Sequence, residues 1–326
     1  MPYWRLGSGV INSMVFSLLT FIAERRSNVI FAMEEPEIAI PPHTQRRMVQ
    51  FLRKNMDQSI LTTHSPFVLE RYTPENVVLL RRGDAGAVAG RVVDVTGLKA
   101  KAYKGNLRRV LAEAMLGNGM LCVEGVSDAE ALYSASAVLE EHGGGGTYTP
   151  LDLSGVTIVQ CEGDGGLLRY GEFFAGPGLK TYAFYDRQKN DAVRDGIVDL
   201  FDAAWELDQT GIEHLLAEEI SAQVVRDFLE RAQAWDDYPH NSGQPNLFGY
   251  DPDANDDDVR ELCKRVLKAR KGSGYARRLV ETCDDLDLPA AVREALEEIS
   301  AALPNRLSGD GEDEEPGNDD APGDEA

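Results

Sequence analysis

Residues 119–141, GMLCVEGVSDAEALYSASAVLEE, are the part of the chain that most clearly indicates its fold. Its apolar run Met120–Val123 is typical of a buried strand. Ser127 with Glu130 three residues later is the pattern of a capping box, which predicts that a helix begins with Ser127 as its cap. A strand that leads through a glycine turn into a helix is one unit of a parallel sheet. Glu124 stands at the carboxyl end of this strand.

Two further strands repeat the same format. VTIVQC, residues 156–161, is followed by a glycine-rich turn over residues 162–166 and by an amphipathic stretch. KTYAFY, residues 180–185, ends directly before Asp186. Because groups beyond the carboxyl ends of parallel strands converge on one crevice, we expect Glu124 and Asp186 to share a site.

The composition bounds the class of protein. The chain has 326 residues, 43% of them hydrophobic, so it can bury a large core, and about two domains are expected. No apolar run is long enough to cross a bilayer and no signal peptide is evident, so the sequence predicts a soluble, cytoplasmic protein. Four scattered cysteines form no C-x-x-C pair, which argues against a zinc site or a disulfide framework.

The net charge of −22 would by itself argue against a nucleic-acid partner. The charge is uneven, however, because residues 308–326 hold nine acids and no cation. Such a segment, rich in Gly and Pro, cannot bury enough apolar surface to fold, so residues 307–326 are predicted to be a disordered tail. Cations cluster at residues 99–109 and 264–278, where a phosphate-binding surface and a solvated helix face are both open interpretations.

Three short motifs follow one another in the first part of the chain. LGSGVINSMVF, residues 6–16, places two glycines and a serine at the start of an amphipathic helix, which is a natural anion site. NVIFAMEEPEI predicts a buried strand at Val29–Met33 that ends in two glutamates, and SILTTHSP predicts a second strand at Ile60–Leu61 with His64 in the turn that follows.

In this order, the motifs resemble the signature loop, Walker B strand and switch histidine of the SMC/RecF-like branch of ABC ATPases. The resemblance implies that Glu35 polarises the water that attacks ATP. It also implies nucleotide contacts by Gly7, Ser8, Gly9, Glu34 and His64. The phosphate-cradling loop G-x-x-x-x-G-K-[ST] occurs nowhere in the chain, so we expect ATP hydrolysis only when a partner or a further segment supplies that loop.

The second part of the chain, with its strand-Glu-Gly, helix and strand-Asp units, resembles the Toprim fold of topoisomerases, primases and OLD nucleases. Together with an SMC-like ATPase it resembles the OLD family of ATP-linked endonucleases, which includes the nuclease subunit of the Gabija defence system. The implied fold class is α/β, with the C-terminal half of an ABC-type P-loop ATPase domain at residues 1–112, a Toprim domain at residues 113–306 and the tail at residues 307–326.

The resemblance to OLD proteins also implies a site for Mg²⁺ or Mn²⁺. The expected metal ligands are Glu124, Asp128, Asp186 and Glu213, and Lys271 is expected to support the transition state at the scissile phosphate. The second Asp of the family's Asp-x-Asp is Gln188 here, and a neutral ligand should weaken the metal that it serves. The implied partners are DNA, an N-terminal ATPase half and further copies of the chain in a homo-oligomer.

The residues leave alternatives open. Asp128 and Glu213 fall in first helical turns, where an acid complements the helix dipole in any protein, and Lys271 could belong to a solvated basic face. The leading hypothesis is a metal-dependent DNA endonuclease that is coupled to an ABC ATPase and acts in phage defence or DNA repair. The alternative is a non-catalytic assembly or sensor module.

Overall fold

The computed structural model describes residues 7–23, 25, 30–82, 88–92, 106–142, 148–175, 178–238 and 250–303. The predicted acidic tail and residues 99–105 of the first basic cluster lie outside these residues. The strands are β1 (Ile30–Glu34), β2 (Gln58–Thr62), β3 (Val78–Arg82), β4 (Val88–Val92), β5 (Gly119–Val123), β6 (Val156–Gln160), β7 (Lys180–Tyr185) and β8 (Ala203–Glu206). The helices of the first half are α1 (Ser8–Ala23), α2 (Pro42–Asn55), α3 (Pro66–Leu69), α4 (Asn106–Leu116), α5 (Val126–His142) and α6 (Asp164–Ala175). Those of the second half are α7 (Asp191–Leu200), α8 (Ile212–Glu219), α9 (Ala222–Gln233), α10 (Asp256–Ala269), α11 (Tyr275–Val280) and α12 (Ala290–Ala302).

A four-stranded sheet organises the chain after α4. Its strand order is β6-β5-β7-β8, and each neighbouring pair is parallel. All five residues of β5 are buried, as are all residues of β7 except Lys180, because helices cover both faces of the sheet. The predicted α/β class with a parallel sheet is therefore confirmed.

Alternate residues of the central strands face two different cores. Leu121 and Phe184 point into the core formed with α5 and the helices from α8 onward. Cys122 and Ala183 point into the opposite core, which α4, α6 and α7 supply. Leu79 of β3 joins this second core, and the domain boundary predicted at residue 112 falls within α4. That boundary stays a prediction.

Two local expectations around the sheet are wrong. Helix α5 begins at Val126, so Ser127 is not its cap, and the backbone N–H of Gly125 donates instead to Asp128 Oδ2 at 2.8 Å. Helix α6 begins at Asp164, inside the predicted turn of residues 162–166. The turn is shorter because Glu162, with φ 57°, and Gly163, with φ 95°, complete the reversal, and because Gly166 packs too closely on the Cys161 carbonyl for any side chain.

The pair β1 and β2 forms a second parallel sheet near the start of the chain. The expectation of a buried strand is wrong for its described residues: only Phe31 of β1 is buried, and Ile30 and Ile60 are 59% and 56% exposed. The physical reason is that, among the described residues, α1 and α2 pack on one face of this two-stranded sheet. On that face Phe16 of α1 packs edge-on against Phe31 of β1.

No helix in the described part of the chain is long and apolar enough to span a bilayer.

Candidate active site

Three acids lie at the carboxyl edge of the four-stranded sheet. Glu124 follows β5, Asp186 follows β7, and Glu206 is the last residue of β8. The strands are parallel, so these positions share one edge, as the sequence predicts for Glu124 and Asp186. The backbone N–H of Asp186 donates to Glu124 Oε1 at 3.0 Å, so the side chain of one strand end holds the backbone of the next.

Asp128 faces the same edge from the first turn of α5. Its side chain is buried, and one carboxylate oxygen accepts the Gly125 N–H bond that starts the helix. The pKa of Asp128 is raised to about 7, mainly by burial and also by the negative charges of Asp186 and Glu213, while the Gly125 N–H bond and the positive charge of Lys271 oppose the rise. These four charged side chains therefore act on one another.

Glu213 and Lys271 complete the group. Glu213, in the first turn of α8, is only 1% exposed, and its Oε1 lies 3.2 Å from Lys271 Nζ. Lys271 comes from the turn between α10 and α11, and its side chain is 62% exposed. A fully buried carboxylate needs a cation or hydrogen-bond donors, and here an otherwise solvent-facing lysine meets that need.

Gly211 allows Glu213 and Asp186 to approach the same point. It precedes α8 with φ 115°, a conformation that residues with a side chain avoid. A Cβ at this position would lie 3.1 Å from Glu213 Oε2 and 3.9 Å from Asp186 Oδ2. Both carboxylates thus border the N-terminus of α8, whose dipole favours negative charge.

Gln188, which stands at the second Asp position of the Asp-x-Asp pattern, contributes hydrogen-bond donors. Its Nε2 donates to Glu124 Oε1 at 3.3 Å and to the Asp186 carbonyl at 2.9 Å. Its backbone N–H donates to Glu206 Oε1 at 2.7 Å. Gln188 therefore binds the acids around it as a donor, whereas an Asp here would add another negative charge.

The four acids predicted as metal ligands suit a hard divalent cation in chemical type. They supply carboxylate oxygens, and the negative charges of Asp186 and Glu213 add to the effect of burial in raising the pKa of Asp128. In the described residues, however, no three His, Cys, Asp or Glu side chains are grouped closely enough to hold a metal ion as they stand. A cation at this edge would require the side chains to turn toward one another and Lys271 to give up Glu213.

The ATPase motifs of the first part also meet in space. The backbone N–H of Glu35 donates to the Thr62 carbonyl at 3.0 Å, which extends the β1–β2 pairing by one bond. Glu35 has φ 40°, and its Oε1 lies 3.7 Å from Nε2 of His64, whose side chain is 86% exposed. Glu34, at the end of β1, is exposed. The predicted pair of glutamates and the predicted histidine are thus neighbours.

The Gly7, Ser8 and Gly9 motif lies close to the same turn. Ser8 begins α1, and the Gly7 carbonyl accepts from the backbone N–H groups of Val10 and Ile11 in the first turn of the helix. A Cβ at Gly9 would collide with the carbonyl oxygen of Ala39, in the turn that follows the glutamates. Only glycine lets α1 pack this closely against that turn.

Two further acids, which were given no role of their own from the sequence, hold the backbone beside the candidate site residues. Glu37 Oε1 accepts from Thr63 Oγ1 and from the His64 backbone N–H, both at 2.8 Å, and so fixes the turn that carries the histidine. Glu206 holds the backbone at Gln188. The signal for Glu206 was present in the sequence, because AAWE places an acid at a strand end in the same way as MLCVE.

Comparisons with known proteins address both parts of the chain. Residues 1–69 match the family model of an AAA ATPase domain. The C-terminal region of the Burkholderia pseudomallei OLD protein is similar in structure, with 16% identity, a TM-score of 0.41, and coverage of 58% of this chain and 99% of that one. The C-terminal region of the Xanthomonas campestris pv. campestris OLD protein gives 19% identity, a TM-score of 0.42, and coverage of 57% and 96%. No curated protein sequence matches the chain. The roles of individual residues therefore rest on the contacts within this chain.

Proposed function

We propose that the chain is a metal-dependent DNA endonuclease of the OLD type, coupled to an ABC-type ATPase and acting in phage defence or DNA repair. The observation that carries the proposal is the meeting of Glu124, Asp128, Asp186, Glu213 and Lys271 at the carboxyl edge of one parallel sheet. In open parallel sheets this edge is the usual place of binding and catalysis.

The acids would hold one or two Mg²⁺ or Mn²⁺ ions, which when bound activate water and stabilise the leaving oxygen of a phosphodiester. Glu124 fixes the end of β7 through its bond from the Asp186 N–H and so sets the spacing of two ligands. The ammonium group of Lys271 faces Glu213 in this structure. It would turn to the scissile phosphate if a metal ion neutralised that carboxylate.

The ATPase part requires a partner in this proposal. Gly7, Ser8, Gly9, Glu34 and His64 would contact a nucleotide, with Glu35 polarising water, but the loop that cradles its phosphates is not in the sequence. Parallel sheets are normally covered on both faces, whereas Ile30 and Ile60 are exposed, as are Met14, Leu18 and Phe21 of α1. We propose that a unit bearing the P-loop, or a second copy of the chain, covers these apolar residues.

One observation favours the alternative of a non-catalytic assembly or sensor module. Gln188 already donates to Glu124, and Lys271 already faces Glu213, so both of these acids have side-chain partners within the chain in place of a metal ion. A structural module would keep these contacts permanently.

Cleavage of supercoiled plasmid DNA separates the two functions. The chain would be assayed with Mn²⁺ and with Mg²⁺, alone and together with a P-loop-bearing ATPase partner. We expect nicking that the Glu124→Ala, Asp186→Ala double variant abolishes and that the matched double variant Glu172→Ala, Asp199→Ala retains, since Glu172 and Asp199 are exposed acids on α6 and α7. Equal cleavage by both double variants would place the nuclease elsewhere, and no cleavage by the wild type under any of these conditions would favour the structural module.

A further inference from the structure

Helix α2 is strongly basic in an acidic protein. Its sequence, PHTQRRMVQFLRKN, contains four Lys and Arg residues and no Asp or Glu. The whole chain, in contrast, has 55 acids and 33 cations. A local excess of positive charge against that background is not explained by the overall composition.

The exposed side of α2 borders a cleft. Arg47, Gln50 and Lys54 are exposed and lie three and four residues apart, so they share one face of the helix. The cleft, of about 310 Å³, is lined by Gln50, Arg53, Lys54 and Arg71. Gln50 Oε1 accepts from Arg47 Nη1 at 3.4 Å, which leaves the amide nitrogen of Gln50 as a donor. The lining is therefore made of donors and positive charge.

Neighbouring contacts hold the basic side chains in place. Arg53 donates to the Arg71 carbonyl and lies over the ring of Tyr72, 5.8 Å from its centroid. Glu70 adjoins this group, but its carboxylate is engaged by Arg46, whose Nε lies 2.6 Å from Glu70 Oε1. Glu70 Oε1 also lies 3.9 Å from Arg71 Nε, so Arg71 shares this carboxylate, whereas the contacts of Arg47 and Arg53 do not neutralise their charge.

Within the part of the chain that the structure describes, Arg47, Arg53 and Lys54 form no ion pair with a carboxylate. The helix dipole accounts for cations in the last turn, where Arg53 and Lys54 lie, but not for Arg47 in the middle of the helix or Arg71 outside it. Arg53 and Lys54, which line the cleft, and Arg47 on the same helix thus have no carboxylate partner among the described residues of a chain with a surplus of acids, which points to an anion from outside those residues.

We propose that this face of α2, together with Arg71, binds the phosphate backbone of DNA; the choice of DNA as the anion rests on the proposed function. Arg47 and Lys54 are about 10 Å apart along a helix that rises 1.5 Å per residue. One strand carries a phosphate about every 3.4 Å of duplex axis, so the face matches roughly three phosphates. Contacts of this kind position DNA and carry no base recognition, so binding through α2 is independent of sequence.

Fluorescence anisotropy of labelled duplex DNA tests the proposal with the full chain in EDTA, over a series of KCl concentrations. The variant is Arg47→Gln, Lys54→Gln, and the matched control is Arg231→Gln, Arg293→Gln, which removes the same charge from α9 and α12. Arg47 and Lys54 are exposed and make few contacts, so the variant should fold, and its melting curve checks this.

We expect the α2 variant to weaken binding about tenfold near 0.1 M salt and to lower the slope of log affinity against log salt by about two, since each lost phosphate contact contributes about 0.9. The control should change affinity less than about twofold. Equal losses in variant and control would overturn the proposal while leaving the proposed nuclease intact, because EDTA removes any cleavage from this measurement.

Two further outcomes also count against a DNA surface on α2. Wild type that shows no binding at any salt concentration overturns it directly. Unlabelled polyglutamate is added as a competitor at the same charge concentration as unlabelled DNA. If polyglutamate displaces the labelled duplex better than DNA does, the surface prefers an acidic polypeptide. Weaker competition by polyglutamate, combined with the loss in the α2 variant, supports the proposal.

Discussion

The two parallel sheets of this protein have the same sequence pattern but different surroundings. In both, an apolar strand ends in glutamate, at Glu124 after β5 and at Glu34 in β1. Every residue of β5 is buried, whereas β1 has one buried residue. A strand's own residues place an acid at its end, whereas the elements that pack around the strand determine whether the acid lies in a rigid, low-dielectric site.

The acids themselves reflect this difference. At the four-stranded sheet, Glu213 is buried, and the pKa of Asp128 is raised to about 7, mainly by burial. At the two-stranded sheet, Glu35 and His64 are 3.7 Å apart and the histidine side chain is 86% exposed. The carboxyl edge after β5 and β7 is thus assembled within this chain. Glu35 and His64 are also neighbours, but the sheet beside them is mostly exposed in the part of the chain that the structure describes.

The largest expected effect compares the cores of the two sheets. Phe184→Ala in β7 removes a fully buried ring and should lower the free energy of unfolding by about 3–5 kcal/mol. Ile60→Ala in β2 truncates a side chain that is 56% exposed and should lower it by roughly 0.5 kcal/mol. Urea unfolding of both variants measures the difference. Similar losses would show that the two sheets are equally well packed.

Asp128 gives a pH-dependent effect of intermediate size. Its pKa is about 7 in the folded chain against 3.8 for the ordinary group, so between these values the folded protein keeps a proton that the unfolded chain has lost. The stability therefore falls as pH rises from about 4 to about 7, by up to roughly 4 kcal/mol, and then levels off. Asp128→Asn should remove this dependence and be more stable than wild type near pH 8.

Melting temperatures in EDTA at a series of pH values test this expectation. Asp199→Asn, an exposed acid on α7, is the matched control and should follow the wild-type curve. If Asp128→Asn also follows that curve, burial and the neighbouring charges do not raise the pKa of Asp128 in the folded chain.

A smaller effect concerns the packing of α1 beside the glutamates. Gly9→Ala places a methyl group against the Ala39 carbonyl and should lower the free energy of unfolding by about 1–3 kcal/mol. Gly7→Ala adds the same group where nothing lies within 4 Å and should be nearly neutral. Thermal unfolding compares the two. If both are neutral, α1 does not pack on this turn in solution.

The strand-end acids were predictable because the period of a strand and the direction of a parallel sheet fix them. Glu124 and Asp186 needed only an apolar run with an acid after it, and the structure brings them together. Asp128, Glu213 and Lys271 could not be located by this reasoning, because they reach the edge from helices and a turn far apart in the chain. Their assignment to the site followed from the resemblance to OLD proteins.

The failures have local causes. The cap of α5 was assigned to Ser127 because Ser and Glu at this spacing commonly form a capping box, but Asp128 competes for the same first turn and binds the Gly125 N–H. The burial of β1 was overestimated because an apolar run shows that a strand can be covered, not which elements cover it. The role of Gln188 as a donor depends on its side-chain orientation, which spacing does not give.

Calorimetric titration of the purified chain with Mn²⁺ tests whether the carboxyl edge of the four-stranded sheet binds a metal ion. We expect Mn²⁺ binding in the wild type and stronger binding in Gln188→Asp. At an Mn²⁺ concentration ~100 times the dissociation constant, the free energy of unfolding should rise by about 2.7 kcal/mol. Glu124→Ala, Asp186→Ala should lose both the binding and the gain, while Glu172→Ala, Asp199→Ala keeps them. Undiminished binding in the Glu124→Ala, Asp186→Ala variant, or none in the wild type, would contradict a metal site at the carboxyl edge of this sheet.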